Sequence, residues 1–187
     1  MSWWQTVDST LFYWINSAWS NPVFDFFLPL FREKLFWAPL YLFILAFALQ
    51  NFGRRTGMLV VLGLILAVGL SDFTSSTLVK KNVQRLRPCN DPMLQHEVMQ
   101  RATCGSGYSF TSSHAANHFA VAVYLGLILG AGNRRIRAGL LVWAAAVAYA
   151  QVYVGVHYPG DVLGGAVLGS VLGWWVWATF RRRGWLP

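Results

Sequence analysis

The chain has 187 residues, 56% of them hydrophobic and only 12% charged, with ten tryptophans and a formal net charge of +8. A charged fraction about half of the ~25% usual in water-soluble domains excludes an ordinary soluble core, and the length suits a single domain spanning 1–187. The cations exclude a nucleic-acid surface as well: Arg54-Arg55, the run from Lys80 to Arg87, Arg134, Arg135 and Arg137, and Arg181–Arg183 each border an apolar stretch instead of gathering on one solvated face.

In chain order, the first signal is Trp3, Trp4, Val7, Leu11, Phe12, Ile15 and Trp19 at helical spacing, with Gln5, Asp8, Ser9 and Asn16 between them. This predicts an amphipathic helix over 3–20, lying in the membrane interface as part of an N-terminal segment 1–33. The segment lacks the basic start and clean apolar stretch of a cleavable signal peptide. The first span is expected at 35–51, flanked by Arg32, Glu33 and Lys34. Longer apolar segments at 57–79, 114–132, 136–156 and 160–180 each approximate the about 20 residues that cross a bilayer. The expected fold class is therefore all-α, a multi-span transmembrane helix bundle of about five spans plus the interfacial N-terminal helix.

A long polar loop, 80–113, separates the second and third spans and carries both cysteines, Cys89 and Cys104. They pair if the loop faces an oxidising compartment and otherwise stay as two thiols. In the last span Gly165, Gly169 and Gly173 recur every four residues, a stripe that lets a neighbouring helix approach closely. Trp174, Trp175, Trp177 and Trp185 flank the basic tail as an aromatic belt. Five spans put Arg54-Arg55, Arg134–Arg137 and Arg181–Arg183 on one side, cytoplasmic by the positive-inside rule, while residues 1–31 contain no Lys or Arg.

Three polar patches then fall together on the outer side. In the first, Lys80 and Arg87 are seven residues apart; on a helix they share one face two turns apart and can converge on a phosphate, Arg with a bidentate fork. Pro88 ends that helix and favours an extended Arg87. Alone, this patch is equally an ordinary juxtamembrane basic cluster. In the second, Ser112 or Ser113 is a natural N-cap of an apolar helix whose first amides stabilise an oxyanion, and His114 is placed to give a proton to a leaving oxygen. In the third, His157 and Asp161 are four apart, so the carboxylate can fix the imidazole tautomer and leave the other ring nitrogen free to attack. Ionisable groups beside membrane spans are costly and usually functional.

Together these residues resemble the type 2 phosphatidic acid phosphatase family, whose pattern is Lys-x6-Arg-Pro, Pro-Ser-Gly-His and Ser-Arg-x5-His-x3-Asp. Lys80, Arg87 and Pro88 match the first motif. Ser112 and His114 match the second, with Thr111 for its proline and Ser113 for its glycine. His157 and Asp161 match the third, inside Val152-Tyr153-Val154-Gly155-Val156-His157-Tyr158-Pro159-Gly160-Asp161. The resemblance implies a metal-independent and cofactor-free membrane phosphatase that works through a phosphohistidine on His157, oriented by Asp161. His114 serves as acid, and Lys80, Arg87, Ser112, Ser113 and the first helix amides bind phosphate. Its partners are membrane lipids and a lipid phosphate substrate, with undecaprenyl diphosphate favoured over phosphatidylglycerol phosphate, phosphatidic acid or a lipid A phosphate. The expected location is a bacterial inner membrane, with the site facing the periplasm.

One position departs from the pattern. Gln151, preceded by Ala150, stands where the family has an arginine preceded by serine. The amide keeps a phosphate-facing donor but no charge, a loss on the order of 10²-fold in rate. That leaves a weakened lipid-phosphate binder as a rival, and Asp72 with the many glycines motivates a transporter or channel. His114 and His118 have the spacing of a zinc pair but no suitably spaced third ligand. His96 is expected to be solvated or beside the substrate and not catalytic, and Asp72 to hydrogen-bond in the bundle interior or, as an alternative, to shape the substrate cavity.

Overall fold

A computed structural model describes residues 3–186, except the Lys34 side chain, and all regular structure among them is helical. The amphipathic N-terminal stretch forms α1 (Trp3–Tyr13), continues through a π-helical turn to Ala18, and then breaks. The predicted single helix over 3–20 thus ends early, because Asn21-Pro22 starts a second one, α2 (Pro22–Leu30). The Asn21 side chain accepts the Phe24 amide at 3.0 Å, and Pro22 at the first helical position pre-sets φ.

A 3-10 turn leads into α3 (Ala38–Asn51). α4 (Gly53–Phe73) runs on through a π-helical stretch, Thr74–Val79, into the short α5 (Lys80–Val83). After the long loop come α6 (Ser113–Leu129), α7 (Arg134–Tyr153) and α8 (Pro159–Arg182). Gly53–Val83, α7 and α8 are long and apolar enough to cross a membrane; Leu35–Asn51 and α6 are shorter apolar helices. All five expected apolar segments are therefore helices, three long and two short.

α6 is the central helix, packed most extensively against α8 and then α7. Small residues cause this. Ala115, Ala116 and Ala120 are wholly buried on α6, facing the glycine stripe of α8. A methyl added at Gly165, Gly169 or Gly173 would come within 2.5, 1.9 and 2.5 Å of the Ser112, Ala116 and Ala120 carbonyl oxygens. The two backbones touch, which only glycine permits. On the far side, Tyr124 ties α6 to α4 by donating to the Val60 carbonyl at 3.1 Å.

The alternating helix directions collect the ends of α5 and α7 and the starts of α6 and α8 at one end of the bundle. Arg54-Arg55, Arg134–Arg137 and Arg181–Arg183 lie at the opposite helix ends. The arm formed by α1 and α2 covers the first of these ends. Phe12 packs with Tyr158, Val152 and Val162, and Asn16 is fully buried, holding Met99 through both its amide group (2.9 Å each way) and the Tyr153 carbonyl at 2.8 Å. Trp3, Trp4, Tyr13, Trp14 and Trp19 stay exposed on the arm's outer face.

Two expectations need correction. Lys80 and Arg87 do not share a helix: it ends at Val83, where Gln84 takes a left-handed conformation (φ 52°), and Arg87 is extended before Pro88. Asp72 does not line the interior. It is exposed, accepting a hydrogen bond from Asn117 at 3.1 Å, and lies within electrostatic range of Lys80.

Candidate active site

His157 sits in the tight turn joining α7 to α8. Gly155 makes that turn possible: its φ of +88° is a conformation side chains avoid, and an added methyl would meet Val98 at 2.7 Å. Tyr158 then caps α8, Pro159 opens it, and Asp161 in its first turn accepts the Tyr158 amide at 2.8 Å. The same carboxylate that starts the helix therefore lies beside the imidazole.

Asp161 is completely buried and saturated with donors. Oδ1 accepts from Arg85 Nη1 at 2.9 Å; Oδ2 accepts from Tyr158 and the Ser109 hydroxyl and lies 3.5 Å from His157 Nδ1. Ser109 Oγ is also 3.3 Å from Nδ1. With acceptors on that side only, the imidazole proton resides on Nδ1 and the lone pair on Nε2. Burial pushes the His157 pKa down to about 4, against the opposing pull of Asp161, so the ring is neutral at pH 7.

Arg85 is a clamp, not a free phosphate ligand. It bridges Asp161 and Asp8 (2.6 Å to the latter) and lies 3.9 Å over the Tyr158 ring, while Asp8 also accepts the Gly160 amide at 2.7 Å. Arg87 is buried, with Nε donating to the Gly107 carbonyl at 2.9 Å, and its backbone neighbourhood is fixed by the Cys89–Cys104 disulfide. Both Arg87 and Lys80 lie within electrostatic range of His157, as does His114.

The start of α6 is bound to the start of α8. The Ser112 amide donates to the Asp161 carbonyl at 3.0 Å, and Ser112 Oγ accepts the Ala115 amide at 3.4 Å as the cap. The following first-turn amides, Ser113 and His114, have no intrahelical carbonyl to bind, which leaves them able to donate to an oxyanion. The Ser113 hydroxyl instead meets Ser75 and Ser76 at 3.0 Å each, tying α6 to the π-helical stretch. His118 donates from Nδ1 to the His114 carbonyl at 2.8 Å and stacks beneath its ring.

The structure thus brings together His157, Asp161, His114, Lys80, Arg87 and Ser112 and the first amides of α6. Gln151 is placed differently. It is fully buried in the last turn of α7, and neither its amide nitrogen nor its oxygen has a hydrogen-bond partner. Sequence reasoning missed Ser109, Asp8 and the role of Arg85. Ser109 is one of many small polar residues in a loop, and Asp8 reads as the polar face of an amphipathic helix, so neither carries a local signal. Their role exists only because the loop and the arm fold over α8.

The model of the PAP2 superfamily matches residues 57–185. The chain is 32% identical over 170 residues, covering 90% of this chain and 74% of its relative, to a lipid A 4′-phosphatase of Bacteroides thetaiotaomicron. It is 26% identical, covering 96% of this chain and 76% of the relative, to a lipid A 4′-phosphatase of Porphyromonas gingivalis. An undecaprenyl-diphosphatase of Sulfolobus acidocaldarius is 30% identical over 77% of this chain and 63% of its own length. Among solved structures, Aquifex aeolicus LpxE superposes with a TM-score of 0.68 at 25% identity, covering 91% of this chain and 94% of that one. A Bacillus subtilis phosphatidylglycerolphosphate phosphatase of PAP2 type shares the fold at TM-score 0.74 and 22% identity, covering 97% and 88%.

Proposed function

The chain belongs to the PAP2 superfamily of membrane phosphatases, and on that premise we propose that it removes a phosphomonoester from a lipid A-type head group through a phosphohistidine. The observation that carries the mechanism is the Asp161–Ser109–His157 contact, which holds the proton on Nδ1 beside the cations Lys80 and Arg87. His157 Nε2 attacks phosphorus, forming the N–P bond as the P–O bond to the lipid breaks. The charge of the bound phosphate favours the protonated form of His114, which gives its proton to the departing alkoxide, so the lipid leaves as an alcohol. Water then attacks the phosphohistidine, His114 takes its proton, and inorganic phosphate leaves with Nε2 restored. Lys80, Arg87 and the Ser113 and His114 amides hold the equatorial oxygens, where negative charge concentrates in the transition state.

The choice of a lipid A-type phosphomonoester is supported by the two relatives bearing that name, each covering at least nine-tenths of this chain. Undecaprenyl diphosphate is the second reading, favoured by the Sulfolobus relative. The same phosphate grip serves both, and only the groups beyond the phosphate differ. Location in a bacterial inner membrane with the site facing the periplasm is supported by the Arg54-Arg55, Arg134–Arg137 and Arg181–Arg183 clusters at the far end. The Cys89–Cys104 disulfide beside the site suits an oxidising compartment.

The test is phosphate release by detergent-purified full-length protein from lipid A and from undecaprenyl diphosphate, with EDTA present and His157→Ala alongside. Faster release from lipid A that vanishes in the variant is expected, with 32P retained on the protein after an alkaline quench and released by acid. Turnover by His157→Ala at the wild-type rate would refute the nucleophile. A preference for undecaprenyl diphosphate would move the second reading to first place.

A further inference from the structure

Arg32 has no role in any of the motifs above and lies outside the residues 57–185 that match the family. It follows α2, in a turn closed by hydrogen bonds from the Arg32 and Glu33 amides to the Pro29 and Leu30 carbonyls (3.1 and 3.0 Å). Trp37 fixes this turn, donating from Nε1 to the Phe31 carbonyl at 2.9 Å and packing against Phe31, His118 and Trp143. From there the Arg32 side chain reaches inward. Its Nη1 is buried and has no hydrogen-bond partner. It lies within electrostatic range of Lys80, Arg87 and His114, and its backbone carbonyl approaches the His114 imidazole.

Cations do not crowd together in a partly buried place without an anion between them. Asp161, the nearest fully buried carboxylate, is already saturated by Arg85, Ser109 and Tyr158. Glu33, the one acidic group with which Arg32 itself interacts, is exposed. A buried guanidinium nitrogen left without an acceptor is a costly arrangement that calls for a missing partner, and the group that fits three converging cations is a phosphate dianion.

A second orphan lies on the helix that this turn packs against. Leu28 and Phe31, on the same turn, pack against Ala150 and Tyr153, which bracket Gln151. The turn that carries Arg32 is therefore packed against the end of α7 that carries Gln151, an uncharged amide without a partner.

We propose that Arg32 is a phosphate-binding residue of this active site, supplied by the N-terminal arm in compensation for the missing charge at Gln151. The proposal rests on the phosphatase reading for its substrate, but its anion-binding content can be read separately. The N-terminal arm is then part of the catalytic apparatus and not only a membrane-surface anchor.

The experiment uses full-length protein in detergent, with inorganic phosphate binding by calorimetry and kcat/KM on the lipid phosphate as two readouts. Arg32→Gln is expected to weaken phosphate binding about 10-fold or more and to lower kcat/KM about 100-fold, with the loss mainly in kcat. Arg32→Lys keeps the charge without the fork and should fall between. Adding Gln151→Arg to Arg32→Gln should restore most of both quantities, since it returns a guanidinium to the same flank; a merely structural Arg32 would gain nothing from it. Unchanged phosphate affinity in Arg32→Gln, or no recovery in the double variant, overturns the proposal, as does a wild type that binds no phosphate. Should Arg32→Gln fail to fold, wild-type affinity and turnover in Arg32→Lys together with Gln151→Arg alone leaving both unchanged would overturn it. A wild type that binds phosphate in an Arg32-dependent way yet hydrolyses no lipid phosphate would sink the phosphatase reading and leave this one standing.

Discussion

Gly169→Ala is the sharpest perturbation of the fold's effect on the chemistry. The added methyl would stand 1.9 Å from the Ala116 carbonyl oxygen, whereas such contacts are essentially never found below 3.0 Å, so α6 and α8 must part by at least about 1.1 Å there. The obstacle is backbone on α6, which cannot swing aside as a side chain would. Both helices begin at the site: α6 with Ser112 and His114, α8 with Asp161 and its bond to the Ser112 amide. Displacing reacting groups by about 1 Å costs about 10²-fold in rate, and forced overpacking costs about 1–3 kcal/mol of stability. The assay is phosphate release and thermal unfolding of detergent-purified Gly169→Ala beside Gly139→Ala, whose methyl meets nothing within 4 Å. The expected result is a loss of about 10²-fold in the first variant and wild-type turnover in the second. Gly169→Ala with full activity and an unchanged Tm would refute the claim that this helix contact sets the site geometry.

Three further outcomes are expected. His157 must be neutral to attack, and burial holds its pKa at about 4; beyond the substrate phosphate's own ionisation at ~6, the histidine should add no acid limb to kcat/KM until pH passes below about 4. An imidazole NMR titration of His157 centred at ~6.5 would show that the ring is not desolvated. Ser109→Ala removes the hydroxyl that binds Asp161 and touches His157 Nδ1; a lost charge-assisted bond of about 2 kcal/mol corresponds to about 30-fold in kcat, with KM little changed. Equal kinetics in the variant would remove Ser109 from the site. Reduction of Cys89–Cys104, which are 15 residues apart, should lower stability by about 3 kcal/mol through the freed loop, read as a lower Tm in dithiothreitol that Cys89→Ser/Cys104→Ser reproduces without reductant. The same Tm with and without reductant would rule out that contribution.

The sequence by itself determined the membrane bundle, because hydrocarbon-length apolar runs have few ways to fold and each run carries its own signal. It also marked the face of α8 that a neighbour approaches closely: a glycine every fourth residue is visible as a stripe whatever lies opposite, and the fold supplies α6. His157, Asp161, His114 and Ser112 were legible because their helix-end positions and spacing state both local geometry and chemistry. Lys80 and Arg87 were legible as a pair, but the helix assumed to join them was not there, since Gln84 leaves it by a left-handed turn that a glutamine does not announce.

The rest was decided only by tertiary structure. Arg85 belongs to Asp161 and Asp8, which lie 76 and 77 residues from it, and Ser109 completes the histidine's surroundings from the middle of a loop. Whether a charged side chain is a ligand or a clamp depends on which carboxylate the fold brings to it. The same holds for Arg32 and Gln151. Electrostatic pairing acts through space over a few ångströms, so the sequence supplies the charges and the packing of the arm, loop and helix ends decides which of them remains unpaired.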